Sequence, residues 1–588
     1  MIKAEKLSYS FPQKDLYNKI SFTLEDDVHC AFIGTNGTGK STLVDMILHP
    51  DNYLYDGRLI VDVPGRIGYV SQFYSLDEEK EVTVFDYLSE EFVRLQNEIN
   101  TICDEMATAD ELDELMDRYQ NVMDQFQAID GDFYESNIRK QLKIANLKDY
   151  ENHLLTNLSG GEFKLIQVIR EMMISPKFII MDEPDVFLDF EHLNALKNLI
   201  NSHKGTLLVI THNRYLLNHC FNKILHLENA ELQEFDGTYV DYNFALLEMK
   251  IEQQELAAAD MEEIERNRKI VERLRNEATK VDSATKGRSL KARVSLLERL
   301  EARKTKSPFV DIRQPQIELH TSVKSSDDVQ RDVSGQTDTD VTISEERTEQ
   351  NHEKAILEVE NYSIAFDRQI MKEVTFSMEA GGKVAIVGPN GTGKTTILRD
   401  IYKNNNPAIK LAPDLKIAYL SQMHGEVFNE KETVLKNFED AGFETEAEIV
   451  RYLKTYGFEE ELVYNKVENL SGGEKNLLQL AKISRMDADF LLLDEPTSHL
   501  DTYSQLALEQ AIEKYEGAVL MVSHDFYTVA NCMDYVLFVE EKKLRKMSIR
   551  KFRKMIYADH FDKNYLELEQ KKKELENRIS FALQTGKF

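Results

Sequence analysis

Two copies of a glycine-rich sequence carry the residue types that bind nucleotide phosphates: GTNGTGKS at 34–41 and GPNGTGKT at 388–395. In this pattern, G-x-x-x-x-G-K-[ST], the glycines let backbone N–H groups turn toward phosphate oxygens. The lysine reaches the β- and γ-phosphates, and the Ser or Thr hydroxyl binds Mg²⁺. One match could be accidental, but the same further motifs follow each copy in the same order. The residues predicted to bind nucleotide here are Gly34, Asn36, Gly37, Gly39, Lys40, Ser41, Thr42, Gly388, Asn390, Gly391, Gly393, Lys394, Thr395 and Thr396.

An apolar segment ending in two carboxylates follows each loop: FIIMDEP at 178–184 and FLLLDEP at 490–496. Each segment predicts a buried strand whose tip would carry Asp182 or Asp494 toward Mg²⁺. Glu183 and Glu495 come next and are placed to orient or activate an attacking water. An isolated Asp-Glu pair means little, but its register with a phosphate loop favours a catalytic role.

Two further motifs recur in both halves. The sequence LSGGE, at 158–162 and 470–474, offers small residues for close approach to a phosphate and the start of a helix that would point its positive end there. The sequences THN and SHD follow apolar strands and place His212 and His524 near the γ-phosphate. A lone histidine is usually structural, so the equal spacing from the strand-end aspartates is what favours function.

The combination of LSGGE with the phosphate loop resembles ATP-binding cassette (ABC) ATPases, and each half is called a cassette below. The resemblance implies that the signature of one cassette closes over ATP and Mg²⁺ held by the other. Lys40 would then pair with Ser471 and Gly473, and Lys394 with Ser159 and Gly161. It also implies that Gln72 and Gln422 contact Mg²⁺ and water, completing metal sites at Ser41, Asp182, Thr395 and Asp494. Phe11 and Phe366 match the aromatic residue that stacks on adenine, although core packing is an alternative for either.

The loop after the carboxylates differs between the cassettes. The second reads DEPTSHLD, close to the family pattern, whereas the first reads DEPDVFLD, with Asp185, Val186 and Phe187 in place of polar or small residues. Asp189 and Asp501 still match the loop that crosses between cassettes. We therefore hypothesise that the two sites hydrolyse ATP at different rates.

Subtraction across the repeat locates an insertion in the first cassette. The phosphate-loop lysines are 354 residues apart, whereas the signature serines, strand-end aspartates and histidines are all 312 apart. The extra 42 residues fall almost entirely between Gln72 and Ser159 and have helical spacing of apolar residues. They predict a helical arm at about 80–150 that projects from the cassette; a packed helical subdomain is the alternative.

A basic segment separates the cassettes. Residues 240–308 predict an α-helical hairpin, with a turn at KVDSATKGRS. Residues 266–306 hold fourteen Lys and Arg against five Asp and Glu, whereas the whole chain has a net charge of −31. Such a concentration of positive charge in an acidic protein favours a polyanionic partner such as RNA or DNA.

The predicted fold class is α/β: two ABC-type nucleotide-binding domains in tandem, joined by the helical hairpin and with a helical arm inserted in the first. The predicted boundaries are 1–239 for the first cassette, 240–308 for the hairpin, 309–354 for a polar flexible tether, 355–559 for the second cassette and 560–588 for a helical tail. The two cassettes are expected to pair within one chain.

Composition sets limits on function. The chain is 42 % apolar and 30 % charged, as in soluble globular proteins, and it has no run of about 18 apolar residues that could span a bilayer. No secretion signal is visible at the N-terminus. The four cysteines have no zinc or disulfide spacing and are expected to be small buried residues in a reducing cytoplasm.

Tandem cassettes separated by a basic hairpin, with an arm only in the first, resemble the ABC-F group of ribosome-binding ATPases. The resemblance implies that the hairpin enters the E site of the 70S ribosome, toward P-site tRNA and the peptidyl-transferase centre. Its best rRNA and tRNA contacts would be Lys280, Lys286, Arg288, Lys291 and Arg293. The favoured function is ribosome protection against antibiotics. The alternatives are a housekeeping translation factor, the ATPase subunit of an exporter and, least favoured, a DNA-repair ABC protein.

Overall fold

The computed structural model describes residues 1–11, 14–72, 81–108, 112–186, 188–246, 248–249, 269, 271, 314–321, 355–365 and 369–560. Across these residues the protein is mixed α/β, as predicted. None of the helices in this part of the chain combines the length and the apolar character needed to cross a membrane.

The strands of the first cassette are β1 (Ile2–Phe11), β2 (Lys14–Leu24), β3 (His29–Ile33), β4 (Asp56–Val61), β5 (Gly68–Val70), β6 (Phe178–Asp182), β7 (Thr206–Ile210), β8 (Lys223–Glu228) and β9 (Glu231–Asp236). Those of the second are β10 (Ala355–Ala365), β11 (Gln369–Glu379), β12 (Lys383–Val387), β13 (Ile409–Leu411), β14 (Ile417–Leu420), β15 (Phe490–Asp494), β16 (Ala518–Val522), β17 (Tyr535–Glu540) and β18 (Lys543–Ser548).

The helices of the first cassette are α1 (Lys40–Leu48), α2 (Val84–Met106), α3 (Asp113–Ala128), α4 (Tyr134–Ile144), α5 (Gly160–Ile174), α6 (Phe190–Ser202) and α7 (Arg214–Cys220). Those of the second are α8 (Lys394–Lys403), α9 (Glu446–Thr455), α10 (Glu460–Val463), α11 (Gly472–Ser484), α12 (Thr502–Lys514), α13 (Phe526–Cys532) and α14 (Ile549–His560). Short 3-10 turns lie at Pro50–Asn52, Gly131–Phe133, Lys148–Tyr150, Leu155–Asn157, His424–Glu426, Lys436–Phe438 and Val467–Asn469.

Each cassette is built on a six-stranded sheet. The strand orders are β5-β6-β7-β3-β8-β9 and β14-β15-β16-β12-β17-β18, so the two sheets have the same topology. In each, the first five strands in that order pair in parallel and the last edge strand is antiparallel. The central strands are continuous apolar runs because both faces of the sheet are covered. Since the carboxyl ends of parallel strands meet at one edge, β3 and β6 bring the phosphate loop and the carboxylates together.

The inserted arm is helical, and its base packs against the cassette. Val84, Leu88 and Phe92, in the first turns of α2, are buried in the same apolar core as α5. Farther along, α3 pairs with α2 through Val122 and Phe126. At the distal end, Leu112 and Met116 are exposed. The arm therefore combines the two alternatives, with a packed base and an exposed end.

The arm also corrects one prediction. Cys30, Cys220 and Cys532 are buried as expected, but Cys103 is exposed. It lies next to the buried Ile102 on α2, on the side of the helix that faces solvent.

Of the segment between the cassettes, the structure describes its two ends, residues 240–246 and 314–321, together with residues 248–249, 269 and 271. Residues 239–246 are helical, and Tyr239 and Tyr242 are buried. At the other end, Gln316 N donates to Thr455 O, and His320 forms a bridge with Asp487, so this strand-like stretch is held on the second cassette. The rest of the predicted hairpin, the tether from 322 to 354 and the tail from 561 onward lie outside the described residues.

Candidate functional site

The two phosphate loops are positioned in the same way. Each connects a central strand to a helix that begins at the loop lysine, and the residue before that lysine is a left-handed glycine, Gly39 or Gly393 (φ 101° and 83°). Both lysines are buried. Lys40 Nζ donates to the carbonyls of Gly34 and Thr35, both at 2.9 Å, and Lys394 makes the matching bonds to Gly388 and Pro389. The lysine ammonium groups are thus held inside the curve of their loops.

The predicted metal ligands meet at the sheet edge. In the second cassette, Thr395 Oγ1 donates to Asp494 Oδ1 at 3.0 Å. In the first cassette, the Ser41 side chain makes the matching hydrogen bond to Asp182. Burial raises the pKa of both aspartates, that of Asp494 to about 6. Within the described residues, Asp494 Oδ2 is buried and has no hydrogen-bond partner. An orphaned carboxylate oxygen beside a hydroxyl fits Mg²⁺, which binds one or two carboxylates together with substrate phosphates.

Two cavities lie between the cassettes, and each is lined by both of them. One, of about 800 Å³, places the first phosphate loop opposite the second signature. The other, of about 560 Å³, places the second loop opposite the first signature. Among the predicted residues, the first cavity is lined by Phe11, Asn36, Gly37, Gly39, Lys40, Ser41, Thr42, Gln72, Glu183, Gln422, Ser471, Gly473, Asp494 and Glu495. The second is lined by Ser159, Glu183, His212, Asn390, Gly391, Gly393, Lys394, Thr395, Thr396, Gln422, Glu495 and His524.

The predicted adenine, signature and RNA contacts have different outcomes. Phe11 is half-exposed at the first cavity, where adenine could stack on it. Gly161 is buried within α5, and its neighbour Gly160 lines the second cavity instead. Phe366 and the predicted RNA contacts, Lys280, Lys286, Arg288, Lys291 and Arg293, lie outside the described residues.

The loops after the carboxylates cross between the cassettes. Asp189 caps α6 and accepts from Asn390 N of the opposite phosphate loop at 3.0 Å. On the other side, Asp501 caps α12 and lies 3.5 Å from Asn36 N, while Asn36 Nδ2 donates to His499 O at 2.9 Å. Each phosphate loop is therefore fastened by the opposite cassette.

The signature serines begin their helices. Ser159 and Ser471 each form a capping box, with Glu162 and Glu474 respectively, so the amino ends of α5 and α11 are rigid and face the opposite loop. The approach is closest at Gly473. A β-carbon there would lie 2.1 Å from Asn36 Nδ2 and 2.4 Å from the carbonyl oxygen of His499. Only glycine fits between these groups.

We expect Gly473→Ala to prevent full closure of the larger cavity, because the backbone oxygen of His499 cannot rotate away. Overpacking typically costs about 1–3 kcal/mol, so closure should weaken by roughly tenfold to a hundredfold. Small-angle X-ray scattering with Mg²⁺ and AMP-PNP should report a larger radius of gyration than for the parent. Gly425→Ala is the control, since its added β-carbon meets no atom within 4 Å. An unchanged radius for Gly473→Ala would contradict the tight contact.

The two glutamates have left-handed backbones but different surroundings. Their φ angles are 45° for Glu183 and 48° for Glu495, a conformation that non-glycine residues adopt chiefly where the surroundings enforce it. Glu183 Oε2 accepts from Gln72 Nε2 at 2.6 Å and lies 3.3 Å from His499 Nδ1 of the other cassette. Glu495 Oε2 accepts from His524 N of its own cassette at 3.1 Å.

These surroundings shift the two pKa values in opposite directions. Burial raises the pKa of Glu495 to about 8. Burial also acts to raise the pKa of Glu183, but the hydrogen bond with His499 and the positive charge of Lys40 outweigh it, and the net shift is downward. The catalytic candidates are therefore electrostatically unequal.

The two histidines are buried and neutral. Burial and Lys40 lower the pKa of His212 to about 4, and burial and Lys394 lower that of His524 to about 3. In the described part of the chain, His212 Nε2 and His524 Nδ1 are buried without a hydrogen-bond partner. Each ring therefore keeps one nitrogen available to a polar ligand.

Two residues that the motifs did not single out join the cassettes. His499 belongs to DEPTSHLD, the copy of this loop that stays close to the family pattern. Arg214 follows THN and is buried against Glu509 and Asp525 of the second cassette. The signal available in the sequence was the difference between copies, since the counterparts of His499 and Arg214 are Phe187 and Phe526.

Comparison with known proteins finds one family model, described as ABC transporter, that matches residues 17–186 and 371–498. The chain is 27 % identical over 588 residues to the energy-dependent translational throttle protein EttA of Escherichia coli, covering 96 % of this chain and 94 % of that protein. It is 25 % identical over 559 residues to ABC transporter F family member 5 of Arabidopsis thaliana, covering 92 % and 75 %.

Among solved structures, the archaeal ribosome recycling factor aABCE1, in complex with the ribosomal stalk protein aP1, is similar with a TM-score of 0.52. The similarity covers 94 % of this chain and 92 % of that one. At 18 % identity it shows the fold alone, and it confirms the predicted pair of nucleotide-binding domains in one chain.

Proposed function

Because the chain belongs to the ABC transporter family, we propose that it hydrolyses ATP at two composite sites, each made from the phosphate loop of one cassette and the signature of the other. The observation that carries the proposal is the lining of the two cavities, which pairs Lys40 with Ser471 and Lys394 with Ser159. The cassettes would then close on ATP and separate after hydrolysis, since a ligand shifts a protein toward the state that binds it better.

Bound ATP and Mg²⁺ supply the phosphoryl group and neutralise its developing charge. Around them, the phosphate-loop lysines and backbone N–H groups hold the phosphates, and the hydroxyl and aspartate at each sheet edge hold the metal. The glutamate that follows each aspartate orients the attacking water and accepts its proton. The buried histidines, kept neutral by their surroundings, direct a ring nitrogen toward the γ-phosphate.

We place this ATPase in the ABC-F group and on the ribosome. Similarity to a translational throttle protein over 96 % of the chain supports a role in translation. The fourteen Lys and Arg residues at 266–306 supply the positive charge that an RNA partner requires. The hairpin would enter the E site of the 70S ribosome, toward P-site tRNA and the peptidyl-transferase centre, and the protein would then act in the cytoplasm.

The finer proposal is protection of the ribosome from antibiotics that bind the peptidyl-transferase centre. The second candidate, a translation factor that acts without a drug, is favoured by the similarity to EttA. Expression in a susceptible bacterium separates them. Growth at higher concentrations of lincosamide, pleuromutilin or streptogramin A drugs supports protection, whereas unchanged sensitivity to all three supports the translation factor.

Ribosome binding itself is tested by co-sedimentation. With ATP and Mg²⁺, the Glu183→Gln/Glu495→Gln double variant is expected to pellet with 70S particles, because it closes on ATP without hydrolysing it. Changing Lys280, Lys286, Arg288, Lys291 and Arg293 to glutamate in that background should abolish binding, since each lost phosphate contact weakens it. The control is the same double variant without ATP, for which the fraction that stays unbound to 70S particles is measured. Failure of the double variant to pellet would contradict the ribosomal proposal and favour the exporter subunit.

A further inference from the structure

The two cassettes do not contribute equally to each other's glutamates. His499 of the second cassette lies with Nδ1 3.3 Å from Glu183 Oε2, across the interface. Its counterpart in the first cassette is Phe187, whose side chain has no hydrogen-bonding group. In the described part of the chain, the hydrogen bond found at the Glu495 carboxylate comes from His524 of the same cassette.

Groups from both cassettes meet at one carboxylate oxygen: Gln72 Nε2 and His499 Nδ1 both contact Glu183 Oε2, and they lie 3.3 Å from each other. Gln72 Nε2, of the first cassette, donates to Glu183 Oε2 at 2.6 Å. A carboxylate only accepts, so the contact with His499 Nδ1 is a hydrogen bond when that nitrogen carries the proton. The Glu183 carboxylate is then fixed from two sides, one of which exists only while the cassettes are together.

The backbone around His499 is rigid. Its φ is 59°, in the left-handed region. The carbonyls on either side are held by buried side chains: Asn476 Nδ2 donates to Ser498 O, and Gln505 Nε2 donates to Leu500 O, both at 2.9 Å. The imidazole is therefore presented at a fixed position.

His499 also contacts the signature of its own cassette and the phosphate loop of the opposite cassette. A β-carbon on Gly472 would lie 3.1 Å from the His499 ring, so the ring rests directly on the signature of its own cassette. The carbonyl of His499 accepts from Asn36 Nδ2. His499 therefore connects the signature of its own cassette and the phosphate loop of the other cassette to the Glu183 carboxylate.

We propose that His499 is a positioning residue for Glu183, supplied in trans, which makes hydrolysis at the Lys40 site conditional on closure in a way that the Lys394 site does not share. The inference rests on the proposed ATPase function. It adds to that function an origin for unequal sites, namely a hydrogen-bond donor that only one cassette provides.

The test uses the full-length chain with Glu495→Gln, so that hydrolysis reports the Lys40 site. His499→Phe, which copies the residue of the first cassette, is expected to lower kcat by about tenfold to a hundredfold, the scale of one hydrogen bond to a charged group. KM and the affinity for fluorescent mant-AMP-PNP should stay within about threefold, because Glu183 is not needed for binding. His499→Asn should restore most of kcat, since its amide can replace Nδ1 and asparagine tolerates positive φ.

A second readout is independent of turnover. The chain is labelled with ¹⁵N-histidine, and NMR spectra are recorded with Mg²⁺·AMP-PNP bound. The chain has 14 histidines, and the ring signal that disappears in His499→Asn is assigned to His499. Glu183→Ala should shift this signal, because its hydrogen-bond acceptor is removed. His320→Phe, at a side chain that is 58 % exposed, is the control for a histidine change.

The outcomes are distinct. Undiminished kcat in His499→Phe, an Asn variant as slow as the Phe variant, a His499 signal that ignores Glu183→Ala, or no hydrolysis by the Glu495→Gln parent would each overturn the inference. Absence of hydrolysis by the unmodified chain would instead overturn the proposed ATPase function. If His499→Phe does not fold, the Asn variant and the NMR shift still decide.

Discussion

Replacing both Glu183 and Glu495 with glutamine is expected to lower steady-state ATP hydrolysis by about 10²- to 10⁴-fold, the usual contribution of a positioned general base. Each glutamate follows a fully buried strand and is held in a left-handed conformation at the edge of a cavity. Glutamine keeps the size and can donate hydrogen bonds, but it cannot accept the proton of the attacking water. Phosphate release over time measures the effect.

The control for this pair is Glu468→Gln, at a surface carboxylate whose side chain is 43 % exposed and pairs with Lys466. It should leave hydrolysis unchanged, because exposed ion pairs contribute little. The double variant should still bind mant-AMP-PNP, since the phosphate loops are intact. Hydrolysis that stays within threefold of the parent in the double variant would contradict the assignment of both glutamates.

The single variants should not be equivalent. Glu183 is held by Gln72 and by His499 from the opposite cassette, whereas Glu495 is held by a backbone N–H of its own cassette. We expect Glu183→Gln to lose more activity, because the better-fixed base has more transition-state alignment to lose. Equal turnover by Glu183→Gln and Glu495→Gln would contradict the hypothesis of unequal sites.

Motif spacing predicted what each cassette does by itself. The phosphate loops, the carboxylates at strand ends and the signature serines at helix starts are all local: a strand of continuous apolar residues, a glycine in the left-handed region and a capping box are each encoded within a few residues. This is why Lys40, Asp182 and Ser159 lie where the sequence placed them.

Contacts between the cassettes could be predicted only from the resemblance to ABC ATPases. They depend on how two folded surfaces meet, and no local sequence pattern encodes this. The pairing of Asn36 with His499, and of Asn390 with Asp189, joins residues hundreds of positions apart with no shared periodicity. The packed base of the arm was equally ambiguous: the apolar spacing of Leu88 and Phe92 fits a core-facing helix or a helix pair. Burial against α5 decided between them.

Positions at which the two cassettes differ in residue type carry information that the family motifs do not contain. Where the first cassette has Arg214, the second has Phe526, and the structure turns this difference into two unlike contacts. Arg214 lies over the Tyr527 ring at 4.8 Å, whereas Phe526 meets Phe190 edge to face at 6.1 Å. One side of the interface is therefore ionic and the other aromatic, which no motif predicted.

Arg214→Met is expected to weaken docking of the cassettes by about 3–5 kcal/mol, the typical cost of removing one partner from a buried ion pair. The Arg214 side chain is 10 % exposed, and its guanidinium bonds Glu509, Asp525 at 2.9 Å and Thr528 at 3.2 Å. Although burial disfavours its charge, the two carboxylates raise the pKa of Arg214 further. Without it, Glu509 and Asp525 are left as buried charges at the interface. Hydrogen exchange of α13 and α12 peptides should accelerate accordingly.

Two comparisons separate the lost charge from lost packing. Adding Glu509→Gln and Asp525→Asn to Arg214→Met should restore most of the protection, because neutral amides remove the uncompensated charge and asparagine still caps α13. Arg139→Met, at a pair with Glu151 whose arginine is 53 % exposed, should change exchange little. If the triple variant exchanges as fast as Arg214→Met, the contribution of Arg214 is the area it covers on Tyr527 and not its charge. If Arg214→Met exchanges as slowly as Arg139→Met, then the crossing loops hold the cassettes together. The Arg214 ion pairs would in that case form as a result of closure and would not stabilise it.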